Sequence, residues 1–267
     1  MRLLTLGHGY VAQALARILP EGWQLRGTSR SDGAAIQWPG SDLAPHIAWA
    51  THILISAAPV GGQDPFFTTV AGLVAHRRPD WLGYLSTTGV YGDHQGAWVD
   101  EETPVSPVAN RSADRLMAER AWADVSDQAH IFRIAGIYGP GRAPFARLRA
   151  GQARRIHREG QVFSRIHVDD IAQVLLAAMV QRKPGIYNLA DDLPAPNADV
   201  IAYAAGLAGL PVPPLEDFDT AEMTPMARSF YEESRRICNK KIKADLGVSL
   251  LYPDYRRGLQ ALLGAGE

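Results

Sequence analysis

The chain has 267 residues, of which 46% are hydrophobic and 21% are charged, and its formal net charge at pH 7 is −1. This composition is typical of a globular protein with a buried core, and the near-neutral charge gives no reason to expect nucleic acid or an anionic membrane as a partner. No apolar run approaches the roughly 20 residues of a membrane span. The single cysteine, Cys238, excludes an intramolecular disulfide, so we expect a reducing, cytoplasmic location. Because Cys238 has no accompanying metal ligands in the sequence, we also expect no metal site.

Short apolar runs alternate with amphipathic segments along the first half of the chain, which predicts strands alternating with helices. Strands are predicted over 2–6, 23–29, 35–38, 52–58, 81–87, 130–136 and 185–190. Helices are predicted over 10–19, around 64–77, across 110–120 and over 166–180. This alternation requires right-handed parallel crossovers, so the predicted fold class is α/β with a doubly wound parallel sheet.

The pattern changes after about residue 140, where glycine and arginine become frequent. We assign 1–140 plus 166–190 to the sheet domain, and 141–165 and 191–267 mainly to a smaller C-terminal substrate lobe. Segment 141–160 holds arginines opposed only by Glu159. Two interpretations stay open for it: a site for an anionic ligand, or the solvated basic face of an amphipathic helix.

The first strand leads directly into a glycine turn, Gly7-x-Gly9-x-x-Ala12, and then into a helix. In such a turn the first glycine permits the tight bend, and the second lets the backbone approach a pyrophosphate. Ala12 still allows the helix to pack closely on the sheet, and the helix N-terminus faces the phosphates. Placed between a strand and a helix, the spacing predicts dinucleotide binding; the alternative is a tight turn with no ligand.

The end of the second strand favours NADP over NAD. An NAD site places an acidic residue about 20 residues after the glycine turn, but this position offers Thr28, Ser29 and Arg30, and Asp32 comes too late. A guanidinium flanked by hydroxyls suits a 2′-phosphate, because Arg forms forked, charge-assisted hydrogen bonds with it. The alternative is that Arg30 is a solvated loop arginine.

Further motifs follow in order: ISAAP (55–59), LSTTGVYGD (85–93), FRIAGIYGPGR (132–142), FSRIHVDDIA (163–172) and YNLADD (187–192). With the glycine turn, they resemble the short-chain dehydrogenase/reductase superfamily, especially its extended NAD-dependent epimerase/dehydratase branch and atypical relatives. The resemblance implies a Rossmann domain and a C-terminal lobe that closes over a substrate, often a nucleotide sugar. It also makes a homodimer plausible through helices near 64–78 and 111–124.

The same resemblance implies where the catalytic groups lie. Family members pair a Ser or Thr at the end of the fifth strand with a Tyr-x-x-x-Lys on the next helix, and the matching positions here are Thr87, Arg111 and Arg115. None of the nine tyrosines has a lysine four residues later, so the pair is absent rather than displaced. Thr88 and Gly89 replace the Asp-Glu pair of related dehydratases, which makes dehydration by that route an unsuitable assignment.

Arginine replaces lysine better than it replaces tyrosine. Arg115 keeps the positive charge that would hold the cofactor ribose, whereas Arg111 has no accessible general-base form and would instead bind an anion or stabilise an oxyanion. Two alternatives remain: both arginines line the nicotinamide pocket, or both point into solvent and the site has lost its acid/base pair.

The resemblance also assigns binding positions. The implied cofactor contacts are Gly7, Gly9, Tyr10, Val11, Thr28, Ser29, Arg30, Ala57, Ala58, Pro59, Thr87, Arg115, Ala135 and Ile137. The implied substrate contacts are Thr88, Tyr91, Arg111, Tyr138, Arg142 and Arg165. We therefore expect an NADP-binding oxidoreductase or nucleotide-sugar epimerase that lacks the usual pair and takes a small anionic substrate. The alternative is a non-catalytic dinucleotide-binding regulator or partner-binding protein.

Overall fold

Seven parallel strands form the central sheet of the computed structural model, which describes residues 1–31 and 35–267. In chain order the strands are β1 (Arg2–Leu6), β2 (Gln24–Ser29), β3 (Ile36–Gln37), β4 (His52–Ile55), β5 (Trp81–Thr87), β6 (Trp98–Val99), β7 (Ala129–Ile134), β8 (Gly136–Tyr138), β9 (Arg155–His157), β10 (Arg165–His167), β11 (Gly185–Leu189), β12 (Leu215–Asp217) and β13 (Arg236–Ile237). The helices are α1 (Tyr10–Ile18), α2 (Ala44–Trp49), α3 (Phe67–Arg77), α4 (Asn110–Ala123), α5 (Phe145–Arg149), α6 (Val168–Gln181), α7 (Asn197–Leu207), α8 (Pro225–Ser229), α9 (Lys240–Leu246) and α10 (Tyr255–Gly264).

The central sheet has the order β11-β7-β5-β4-β1-β2-β3, which confirms the predicted doubly wound α/β fold. Three predicted boundaries were wrong. β4 ends at Ile55 instead of continuing to 58, and 130–136 divides into β7 and a separate strand β8. Residues 166–167 belong to β10 rather than to a helix, because β10 pairs with β8 outside the main sheet.

Alternate residues of the central strands face two separate apolar layers. In β1, Leu3 packs into the layer that contains Leu15 of α1, whereas Leu4 packs into the layer that contains Val70 of α3 and Trp122 of α4. Both faces of the sheet are therefore covered, as the near-continuous apolar runs of its strands require. The edge left for a site is the carboxyl end of the strands.

A third apolar cluster holds the C-terminal lobe together, with contributions from α5, α7 and α10. The segment 141–160 is not one amphipathic helix: it forms the short α5 and then β9, which pairs with β12. One part of the predicted lobe lies elsewhere. Ile242, Leu246 and Val248 pack into the sheet layer of α1 and α6, so residues 240–248 cover the sheet.

Two surface features bear on partners. Leu73 on α3 and Met117 on α4 are exposed, and they lie on the helices that the dimer hypothesis invokes. Within the described part of the chain, no helix combines the length and the hydropathy needed to cross a membrane.

Candidate functional site

The turn after β1 is built around the small size of Gly7. Gly7 has φ +94°, and a Cβ placed there would lie 3.0 Å from the backbone nitrogen of Ala57, so the two loops after β1 and β4 abut directly. The Gly7 N–H donates to the hydroxyl of buried Thr28 at 2.8 Å, and the His8 N–H donates to the Thr28 carbonyl at 2.7 Å. The turn is thus held from both sides by backbone and hydroxyl contacts.

Gly9 has a different environment from Gly7. It has φ −92° and stands at the N-cap of α1, where a Cβ added to the glycine would have no atom of the described residues within 4 Å. Within residues 1–31 and 35–267 no side chain caps the first turn of α1, and that turn contains no acidic residue. The leading backbone N–H groups of a helix lack intrahelical acceptors and carry the positive end of the helix dipole. The backbone of Tyr10 and Val11 therefore faces a space suited to an anionic group.

The three residues that were predicted to contact the 2′-phosphate, Thr28, Ser29 and Arg30, lie in different environments. The Thr28 hydroxyl supports the glycine turn, and the Ser29 hydroxyl donates to Ser31 at 3.2 Å. Arg30 is exposed directly after β2 and forms no ion pair with any residue in the described ranges. Asp32 lies outside the described residues.

A cavity of about 1070 Å³ opens at the carboxyl end of β5 and β7, between the sheet and the lobe. Its sheet side includes Thr87, Thr88, Ser112, Ala135 and Ile137. Its lobe side carries apolar residues from α7 and α10, together with the α8 segment. Among its charged lining residues, six arginines outnumber two glutamates: Arg111, Arg142, Arg147, Arg154, Arg165, Arg235, Glu222 and Glu233. The cavity is therefore electropositive.

The hydroxyl of Thr87 is oriented by the backbone. Its Oγ1 accepts a hydrogen bond from the Gly89 N–H at 3.1 Å, which leaves the hydroxyl hydrogen able to donate to a bound molecule. A Cβ at Gly89 would lie 2.5 Å from the Oγ of Ser112, so the glycine makes room for that second hydroxyl. Ser112 lines the cavity beside Thr87 and was not among the sequence predictions; its position next to Arg111 on α4 was the available signal.

Arg111 and Arg115 share a helix face but have different partners. Arg111 donates to the Ser229 hydroxyl at 3.0 Å, and its guanidinium lies 4.5 Å from the centre of the Phe230 ring. It thereby joins α4 to the lobe at the cavity. Arg115 is half-buried and donates to the Leu85 carbonyl of β5. The alternative in which both arginines point into solvent is contradicted for Arg115, and Arg115 is not part of the cavity wall.

Three further predicted residues line the cavity. Arg142 lies 4.0 Å from the centre of the Tyr10 ring, and the Tyr10 hydroxyl donates to the Pro140 carbonyl at 2.9 Å, which ties the α1 turn to the cavity mouth. Tyr138 is buried, and burial raises the pKa of its phenol. Arg165 is also buried, and burial lowers the pKa of its guanidinium.

The structure contradicts the prediction that Tyr91 contacts substrate. Tyr91 is fully buried away from the cavity, where its hydroxyl donates to Asn188 at 2.8 Å and accepts from Arg133 at 3.0 Å. Arg133 also forms a buried ion pair with Glu119 at 2.6 Å, and Glu119 accepts from the Ser86 hydroxyl at 2.7 Å. Tyr91 is therefore a structural residue, because its hydroxyl both donates and accepts a hydrogen bond within this buried network.

Two buried aspartates form part of the site's surroundings. Asp170 in the first turn of α6 accepts hydrogen bonds from the N–H groups of Leu251 and Tyr252 at 2.6 and 3.1 Å, which anchors the C-terminal segment. Asp191, after β11, lies behind Arg165; burial raises its pKa to about 8 and the Arg165 charge opposes that rise. Neither role follows from sequence spacing, because each partner lies far along the chain.

Comparison with known proteins shows which protein family and which solved structures the chain resembles. The model of the NAD dependent epimerase/dehydratase family matches residues 67–190. A conserved protein of unknown function from Silicibacter pomeroyi is 53% identical, with a TM-score of 0.94 over 99% of this chain and 98% of that chain. Protein YeeZ of Escherichia coli (strain K12) is 29% identical over 289 residues, covering 95% of this chain and 97% of YeeZ. Human epimerase family protein SDR39U1, solved with NADPH, shares the fold with a TM-score of 0.78 at 19% identity, over 99% of each chain.

Proposed function

The chain belongs to the NAD-dependent epimerase/dehydratase family, and from this we propose that it is an NADP-dependent oxidoreductase acting on a small anionic substrate. The dinucleotide would bind at the Gly7–Gly9 turn, and the substrate would bind in the adjoining electropositive cavity. The observation that carries the proposal is the direct connection between the two, through Arg142 on the Tyr10 ring. This contact joins the first residue of α1 to a residue that lines the cavity.

The residues present fit a nicotinamide dinucleotide. Gly9 leaves open space in front of an uncapped helix N-terminus, and Gly7 lets the loop after β4 approach closely, so Ala57 lies beside the turn. Ala58 and Pro59, the next two residues of that loop, stay proposed cofactor contacts. A pyrophosphate would accept hydrogen bonds from the first backbone N–H groups of α1. The related human protein was solved with NADPH, which supports a nicotinamide dinucleotide as the class of cofactor.

NADP rather than NAD is the finer part of the proposal. Exposed Arg30 follows β2 directly, where a guanidinium without an ion pair among the described residues is free to meet a 2′-phosphate. The Thr28 hydroxyl already holds Gly7, so the role proposed for Thr28 is to support the turn. Ser29 and Arg30 remain the proposed phosphate contacts.

The chain's own side chains suggest how a carbonyl group would be held. When bound, the cofactor supplies hydride transfer. Thr87 would orient the reacting oxygen, since its hydroxyl hydrogen is not donated to any of the described residues. Tyr138 stays protonated because burial raises its pKa, and its hydroxyl donates to the Asp254 carbonyl at 3.5 Å, so it would line the site rather than act as a base. Arg111 would hold the anionic part of the substrate or stabilise negative charge, and Arg115 would act indirectly by fixing the β5 backbone.

A second candidate is a non-catalytic dinucleotide-binding protein. The observation that favours it is the missing Tyr-x-x-x-Lys pair, together with the engagement of Arg111 by Ser229 and Phe230. In this candidate the arginine would link the lobe to α4 rather than contact substrate. The nucleotide-sugar epimerase alternative stays within the first proposal, since a sugar nucleotide is also anionic.

Restoring the family pair separates the candidates. We expect the wild-type protein to consume NADPH with small carbonyl compounds that carry a carboxylate or phosphate. The double variant Arg111→Tyr/Arg115→Lys should raise the KM for those compounds by about tenfold or more, because an anion contact is lost. Arg120→Ala, an exposed arginine of the same helix, is the matched control. NADPH binding without turnover in wild type, and turnover gained by the double variant, would instead establish the non-catalytic candidate.

A further inference from the structure

One arginine of the cavity differs from the others in its surroundings. Arg165 lies on β10 with only 8% of its surface exposed, and its guanidinium sits 5.5 Å from the centre of the Tyr255 ring. Its Nη2 donates to the Ala195 carbonyl at 3.2 Å. No described residue accepts a hydrogen bond from its Nη1, although this atom is buried. A charged donor is thus enclosed at the cavity wall without a full set of acceptors.

Asp191 does not neutralise Arg165 by direct contact. Within the described residues no carboxylate lies within ion-pair distance of the Arg165 guanidinium, and the Asp191 Oδ1 accepts from the Leu193 N–H at 3.2 Å instead. Burial also raises the pKa of Asp191 to about 8 against the opposing effect of the Arg165 charge, which disfavours the carboxylate form that could balance that charge. An arginine stays protonated even when buried, and an unpaired buried charge is costly.

Two of the other five cavity arginines are paired with carboxylates. Arg154 forms an ion pair with Glu216, and Arg235 forms one with Glu233 at 2.6 Å. Arg133, which is buried like Arg165 but lies outside the cavity, is paired with Glu119 at 2.6 Å. Arg133, the other buried arginine among the described residues, therefore has a carboxylate partner, which makes the unused Nη1 of Arg165 informative.

The wall beside Arg165 is apolar. Val200 and Ile201 of α7 and Leu259 of α10 line the cavity and belong to the same apolar cluster as Tyr138 and Tyr255. Polar hydroxyl groups are supplied at the other side, by Thr87 and Ser112. A molecule that fills the part of the cavity beside Arg165 would therefore place an anionic end at Arg165 and an apolar body along α7 and α10.

We propose that Arg165 is the anchor for the carboxylate or phosphate group of a ligand whose body is apolar, an acyl or aryl chain rather than a sugar. The anion would accept hydrogen bonds from Nη1 and supply the missing countercharge. This deepens the proposed function by naming the substrate class, and it rests on that function only for the claim that the ligand is a substrate.

Calorimetry with small aromatic probes tests the anchor. Phenylacetate and phenyl phosphate represent the two anion types, and phenylacetamide is the neutral analogue; each is titrated into the full chain with and without NADPH. We expect the probe whose anion matches that of the natural ligand to bind. The affinity for the neutral amide should be lower by about tenfold or more. Arg165→Met should lower affinity for the anion by about tenfold or more and leave the amide unchanged. Arg256→Gln is the matched control, because exposed Arg256 stacks near the same Tyr255 ring but lies outside the cavity.

Stability provides a second readout. If the Arg165 charge has no partner until an anion binds, the Arg165→Met substitution removes an unpaired buried charge. The melting temperature of the unliganded variant should then equal or exceed that of wild type. Should Arg165→Met fail to fold, Arg165→Lys and a crystal of the wild type soaked with the binding probe replace it. An anion within hydrogen-bond distance of Nη1, with weakened binding by the lysine variant, supports the proposal.

Equal affinity for acid and amide, unchanged anion binding in the Arg165 variants, or an anion bound elsewhere in the crystal would overturn the anchor. The NADPH titration separates this result from the proposed function. If the wild-type protein binds the anion at Arg165 but does not bind NADPH, only the cofactor proposal is refuted. If it binds NADPH, and its affinity for the anion is the same in the Arg165 variants, only the anchor is refuted.

Discussion

At the scale of single residues, burial decides the chemistry of the site. Asp191 is 1% exposed, and its Oδ2 has no hydrogen-bond partner among the described residues. Desolvation therefore raises its pKa to about 8, against the opposing effect of Arg165. The Gly7–Gly9 turn could be predicted from sequence because its geometry is local. The state of Asp191 could not, because its burial arises only from the tertiary packing of segments that lie apart in the chain.

Replacing Asp191 should change how stability depends on pH. An ordinary aspartate has a pKa of 3.8, and that of Asp191 is raised to about 8 in the folded chain. Between these values the folded state binds more protons than the unfolded state, so stability falls as pH rises through this window. Asp191→Asn removes this dependence, and its stability relative to wild type should increase steadily from acidic to mildly basic pH. Urea unfolding of Asp191→Asn and of the exposed neighbour Asp192→Asn measures it; parallel curves for wild type and Asp191→Asn would refute the expectation.

At the scale of elements, long-range pairs connect segments that the sequence pattern treats separately. The main-sheet strands and the helices α1, α3, α4 and α6 were predicted, apart from some of their ends, because their apolar periodicity is strong, whereas α7 and α10 were not predicted individually. Strands of two or three residues such as β8 and β10 were missed, since only their mutual pairing defines them. The four-residue spacing of Arg111 and Arg115 predicted one shared face, but the lobe takes one side chain and β5 takes the other.

The Arg133–Glu119 pair should be a major stabilising link between β7 and α4. Both side chains are about 95% buried, and Glu119 also accepts from Ser86 of β5. Arg133→Met leaves a buried carboxylate without its partner, which typically costs about 3–5 kcal/mol. Urea unfolding should show that loss, while Arg120→Ala on the same helix should change stability by less than about 0.5 kcal/mol. Adding Glu119→Leu to Arg133→Met should restore part of the loss. A loss below about 1 kcal/mol in Arg133→Met would mean that the pair contributes little.

At the scale of the whole molecule, the proposed function depends on one arrangement at the carboxyl edge of the sheet. The order β4-β1-β2 places the loops after β1 and β4 side by side, and the cavity opens next to them at β5 and β7. The glycine turn and the family motifs predicted the doubly wound sheet from the sequence, but not the order of its strands or the place of the cavity. The distribution of charge in the cavity could not be predicted, because pairing among the arginines depends on the lobe's tertiary packing.

Calorimetric titration with NADPH tests the central claim most directly, with Gly9→Val as the decisive variant. Gly9 has an extended backbone and open space around a Cβ, so Gly9→Val should fold with wild-type stability yet block the approach of a pyrophosphate to α1. Gly72→Val, at an exposed glycine of α3 that also has no atom within 4 Å of a Cβ, is the matched control. We predict NADPH binding by wild type and Gly72→Val, and none by Gly9→Val. No heat from wild type with either NADPH or NADH, or equal NADPH binding by Gly9→Val, would contradict the account.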